Sequence, residues 1–124
     1  MNQNQTKTNE AQIRELVENW ASAVRNKDMV MFDVPPPLQL KGIEAYQASW
    51  SEFFFWLERG GTFELSDLSI TTGTDVAFCH ALIHCGNPRS SGRKDDLTVR
   101  LTIGFKQVNG EWTIVHEHHS EPAE

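Results

Sequence analysis

The sequence predicts an α+β domain, with two helices packed on one face of a curved, mixed or antiparallel sheet. Three observations carry this. Apolar residues recur at helical spacing in two early stretches, Ile13 to Val24 and Ile43 to Leu57. From Thr62 onward four successive stretches favour extended structure, and each is bounded by turn residues. Asn109-Gly110 separates the last two, and both residues accept positive φ at little cost, which is the strongest short-range hairpin signal. Each helix stripe needs a sheet face to bury against, so the layers follow.

The chain has 124 residues, enough for about one domain, and residues 10–124 are expected to form it. The polar stretch 1–9 reads as a disordered tail without the basic start and apolar core of a secretory signal. A cytoplasmic location is the expectation. The absence of a long apolar run leaves no candidate for a membrane span. A net charge of −6 and a pI near 5.3 argue against nucleic acid as partner, because binding it requires a basic face.

The first helix is expected over about 10–26, with Asn9 as N-cap and Gln12 at its third position. Met29 to Val34 then favours a strand, and Pro35-Pro36-Pro37 enforces an extended rim segment after Asp33. Residues 42–58 read as a second helix, its stripe formed by Ile43, Tyr46, Trp50, Phe53, Phe54 and Leu57. Phe55 and Trp56 lie off that stripe, so a second surface is expected to cover this helix. Gly60-Gly61 ends it.

Strands are expected at 62–70, 76–85 and 97–108, with a long polar loop over 86–96. Both faces of the 76–85 stretch are nearly apolar, as in a central strand. Cys79 and Cys85 lie in it, some ~20 Å apart at ~3.3 Å per residue, too far for a disulfide. Both read as small buried thiols.

In the last strand, strict alternation places Trp112, Ile114, His116, His118 and Ser120 on one face and Thr113, Val115, Glu117 and His119 on the other. Two imidazoles continuing an apolar row suggest a pocket, since in a dry core they are costly unless paired. His116 and His118 are therefore candidate catalytic residues, the alternative being a hydrogen-bonded structural pair. Asp33 is either a turn residue or a carboxylate at the pocket mouth. Arg100 is either the cross-strand partner of Glu117 or an anion clamp. His80 is a core histidine or a ligand contact, and Tyr46, Trp50 and Trp56 are core or an aromatic wall around a flat ligand. Metal binding by His-x-His with His80 and His84 is the less favoured reading.

The order helix, strand, prolines, helix, four strands, closing on Trp112-Thr113-Ile114-Val115-His116-Glu117-His118-His119-Ser120-Glu121-Pro122, resembles the nuclear transport factor 2-like superfamily. Phe32-Asp33-Val34-Pro35-Pro36 strengthens the resemblance. The chain is most similar to the SnoaL-like group, related to ketosteroid isomerases and to the association domain of calcium/calmodulin-dependent kinase. That resemblance implies a cone-shaped fold, a deep pocket between sheet and helices, a homodimer, and no need of metal or cofactor. It implies a proton-abstracting role for Asp33 and an anion-binding role for Arg100. Two function classes follow: cofactor-independent acid–base catalysis (isomerase, cyclase, dehydratase or hydrolase) on a small, partly apolar molecule, or a non-catalytic binding or oligomerising module. One feature departs from the group. Its members usually carry a short second helix before the first strand, whereas here Asp28 meets Met29 directly; either the chain has lost that helix or a segment is missing between the two, the second being the expectation.

Overall fold

Eight elements run in the order α1 (Gln3–Glu18), β1 (Val30–Phe32), β2 (Leu40–Lys41), α2 (Ile43–Glu58), β3 (Thr62–Thr72), β4 (Val76–Gly86), β5 (Leu97–Val108) and β6 (Glu111–Ser120). They belong to a computed structural model that describes residues 3–20, 28–34, 37–86 and 97–122. The strands form one open sheet in the order β2-β1-β6-β5-β4-β3. All neighbours are antiparallel except β1 and β6, which run parallel, so the sheet is mixed. The parallel pairing brings the end of β1 beside the end of β6. It aligns Val30 with His116, Met31 with Glu117 and Phe32 with His118.

The helices cover one face. Ile13 and Val17 of α1 and Tyr46 of α2 meet the inward residues of the strands, among them Ile83, Leu101, Ile103, Phe105 and Ile114. Burying each such aliphatic or aromatic side chain is worth roughly 1.5–3 kcal/mol. Alternation holds on β4 and β5: Ala77, Cys79, Ala81 and Ile83 are buried, while Val76, Phe78, His80 and His84 are exposed on the outer face. Asn109 and Gly110 adopt φ of 53° and 83°, the paired positive values of the expected hairpin turn. Among the described residues, no helix is long and apolar enough to cross a membrane.

Two expectations near the N-terminus are corrected. α1 begins at Gln3, so residues 3–9 of the expected tail are helical. Asn9 is then no N-cap: it lies inside α1, almost wholly buried, accepts from Trp112 Nε1 at 3.4 Å and donates to the Gly73 carbonyl at 3.4 Å. A buried amide needs partners, and these two pin α1 to the sheet. α1 itself runs to Glu18 and Trp20 is again helical, while the rest of the helix expected to about residue 26 lies outside the described residues. Positions 21–27 lie outside the described residues, as do Pro35 and Pro36 of the expected rim segment and 87–96 of the expected loop.

Candidate functional site

A β-bulge determines which side chains enter the site. Gly104 of β5 pairs with His116, but Phe105 pairs with Ile114, so Val115 is an extra residue on β6. Because side chains alternate with a period of two, one inserted residue exchanges the faces of everything beyond it. Trp112 and Ile114 are buried as expected; after the bulge the inward residues are Glu117, with no exposed surface, and His119.

This corrects the placement expected for His116 and His118. Both lie on the outer face of the sheet, against the edges of the Phe32 ring at centroid distances of 4.9 and 5.5 Å. His116 Nδ1 is 2.6 Å from the Val30 carbonyl, so this side chain ties β6 to β1, and His118 is exposed. His80 and Arg100 are also exposed on the outer face, because their neighbours Cys79, Ala81, Val99 and Leu101 take the inward positions. Arg100 donates from Nε to Ser120 Oγ at 3.2 Å, its cross-strand partner, rather than pairing with Glu117.

Inside, three side chains converge on Glu117. Trp20 Nε1, just beyond α1, and the Tyr46 hydroxyl of α2 both donate to its Oε1. His119 Nε2 lies 3.2 Å from its Oε2. The other imidazole nitrogen, Nδ1, lies 3.4 Å from Asp33 Oδ1, and that oxygen also accepts from the Val34 backbone N–H at 2.8 Å. Asp33 follows β1, which parallel pairing has laid beside β6. His119 thus bridges two carboxylates, one fully buried and one partly exposed.

Burial disfavours a charged imidazole, but the hydrogen bonds to Asp33 and Glu117 and their negative charges outweigh it, raising the His119 pKa to about 9. The imidazolium is the prevailing form at neutral pH. Burial likewise works against an ionised Asp33; the hydrogen bond and charge of His119, with the Val34 N–H, still hold its carboxyl below the usual range. Burial and the adjacent Glu117 push the Tyr46 hydroxyl far up, so it stays a neutral donor.

The cluster closes one end of a cavity of about 240 Å3. Asp33, His119 and Glu117 line it together with Ser49 and with apolar side chains that include Trp20, Trp50, Phe63 and Met31. Trp20 and Trp50 meet edge to face at 5.1 Å, and His119 lies against Trp20 at 5.5 Å. The arrangement can offer a proton donor and a carboxylate acceptor side by side to a molecule whose remainder is apolar.

Of the site residues expected from the sequence, Asp33 and Trp50 line this cavity, and Tyr46 lies behind it, bonded to Glu117. The side chain of Trp56, like those of Phe53 and Leu57, lies outside the described residues. Glu117, His119 and Trp20 escaped sequence reasoning as site residues. The one trace of the bulge in the sequence is the consecutive apolar pair Ile114-Val115, which strict alternation cannot accommodate on one buried face.

Comparison with known proteins agrees with the fold. The SnoaL-like domain family matches residues 6–124. An NTF2-like protein of unknown function from Pseudomonas putida is 32% identical, over 95% of this chain and 89% of that one, with a TM-score of 0.80. An NTF2-like protein with a cystatin-like fold from Novosphingobium aromaticivorans, 15% identical, superposes with a TM-score of 0.72 over 89% and 79% of the two chains. The association domain of C. elegans CaMKII, 14% identical, does so at 0.60 over 93% and 94%. No protein of curated function matches the chain.

Proposed function

This chain belongs to the SnoaL-like domain family, and from that premise we propose that it is a small-molecule pocket protein performing cofactor-independent acid–base chemistry on a small, partly apolar substrate. The observation that supports this most directly is a largely buried histidine held between two carboxylates at the end of an apolar cavity. Asp33 is the candidate base. Its Oδ1 is committed to Val34 and His119, and Oδ2 takes a proton from a carbon next to a carbonyl. The C–H electron pair moves into an enolate; once Asp33 is protonated and neutral, the Nδ1–H of His119 that faced it turns to the enolate oxygen. Returning the proton to the same or another carbon completes exchange or isomerisation. A carboxylate held below its usual pKa is a weak base, so the barrier falls chiefly through the adjacent positive charge. Glu117 acts as a positioning residue by holding His119 through Nε2.

Acetophenone in D2O tests this without knowledge of the natural substrate. Methyl C–H to C–D exchange, followed by proton NMR, is expected to run faster with the protein than in buffer, and Asp33→Asn is expected to remove about 10²–10⁴-fold of that acceleration. Exchange no faster than buffer, or unchanged in Asp33→Asn, leaves the non-catalytic alternative, a ligand-binding or oligomerising module.

A second observation favours self-association. The outer sheet face exposes Val76 and Phe78 on β4, with 59% and 46% of their surfaces accessible, and Phe32 on β1 is exposed across β5 and β6 from them. We propose a homodimer through this face, in keeping with the association domain among the structural neighbours. Sedimentation at micromolar concentration is expected to give twice the chain mass and Phe78→Glu to give the monomer; a monomeric wild type would refute it. Cys79 and Cys85 are free and burial raises both thiol pKa values, which suits the reducing, cytoplasmic location proposed for the chain.

A further inference from the structure

The cavity's charge and size narrow what it can hold. Among the described residues lining it, His119 is the one cationic group, and each of its ring nitrogens already faces a carboxylate oxygen, at 3.2 and 3.4 Å. One imidazolium against two carboxylates leaves the polar end with a net charge of about −1. Arg100, the other cation considered for anion binding, is on the opposite face of the sheet, bonded to Ser120. An anionic ligand would therefore meet uncompensated negative charge in a low-dielectric setting. A neutral molecule with a hydroxyl, carbonyl or amide has no such penalty, and a hydroxyl or amide can donate to the Asp33 carboxylate.

The volume of about 240 Å3 equals that of about eight water molecules in the liquid, and lies below the range typical of drug-sized ligands. A single ring with a short substituent fits. The edge-to-face Trp20–Trp50 pair, with Phe63 6.1 Å from Trp20, presents flat apolar surfaces to that ring.

Resting on the small-molecule pocket proposed above, we infer that the cavity selects uncharged single-ring compounds with one polar substituent and rejects both their carboxylate counterparts and multi-ring molecules. Benzamide and benzoate have nearly the same shape and differ in charge, so they isolate the electrostatic part. Binding is read from tryptophan fluorescence at pH 7, since Trp20 and Trp50 line the cavity, and from chemical shifts of the indole N–H groups. Benzamide is expected to bind at least about tenfold more tightly than benzoate, the ratio one unbalanced charge supports at close range. Progesterone, with four rings, is expected not to compete with benzamide. In Asp33→Asn, which brings the polar end to neutrality, benzoate is expected to gain about tenfold while benzamide does not.

Benzoate binding as tightly as benzamide in the wild type, or progesterone displacing benzamide, overturns the selectivity and leaves the pocket itself standing. If neither ring compound perturbs the indole signals at millimolar concentration, the inference and the pocket beneath it both fail. Acetophenone exchange without the benzamide preference would separate the two: catalysis retained, selectivity refuted.

Discussion

Glu117→Ala is expected to destabilise the fold by about 3–5 kcal/mol, the largest single-residue effect at the site. Glu117 has no accessible surface, and its carboxyl group gathers Trp20, Tyr46 and His119. Deleting it leaves an indole N–H, a phenol O–H and an imidazolium N–H without their buried acceptor. For a chain of this length the loss corresponds to a fall of roughly 10–20 °C in melting temperature. Glu117→Gln separates charge from shape. Its amide oxygen can still accept from Trp20 and Tyr46, but its NH2 would face an N–H of His119, so an intermediate loss of about 1–3 kcal/mol is expected. Urea denaturation of the three proteins checks this; a loss below about 1 kcal/mol for Glu117→Ala would mean that the cluster contributes little to stability.

Stability is expected to decline as pH rises from about 6.5 to about 9. His119 has a pKa of about 9 in the folded protein against 6.5 for an ordinary histidine. The folded state therefore holds this proton more tightly than the unfolded chain, and the stabilisation is fully present below pH 6.5. It is lost as pH rises through the folded value. The raised pKa corresponds to on the order of 3 kcal/mol. Asp33 acts in the opposite sense. Its carboxyl is held below 3.8, so its contribution is present above that value and disappears as pH falls through the lowered one. The pair together contributes most between about pH 4 and 6.5. Thermal melts across pH 5–9.5 are expected to show the decline in the wild type and its loss in His119→Gln. An equal decline in that variant would assign the effect to other groups. Trp20, 5.5 Å from the His119 ring, offers a second readout, because its fluorescence is expected to titrate with the same midpoint.

Much of the fold was legible because its signals are local. The apolar spacing of α2, the extended character of β4, the alternation of β5 and the Asn109-Gly110 turn each depend on neighbours within a few residues, and each of these elements is present. The start of α1 is not legible locally. Polar residues Gln3 to Thr8 carry no apolar stripe, and the segment is secured by contacts distant in sequence, such as Asn9 with Trp112 and Gly73.

The sequence by itself determined the fold class, the presence of β4 and β5, the turn that starts β6, and that several histidines and a carboxylate lie near the end of the chain. Only the tertiary structure decided which of them meet. The extra residue at Val115 is an agreement between two strands about register, of which β6 alone carries no more than the trace of its Ile114-Val115 pair. That one residue turns Glu117 and His119 inward and His116 and His118 outward. The parallel pairing of β1 with β6 then brings Asp33 to His119 across a wide separation in sequence, because strand order is settled by burial of whole faces rather than by local propensity.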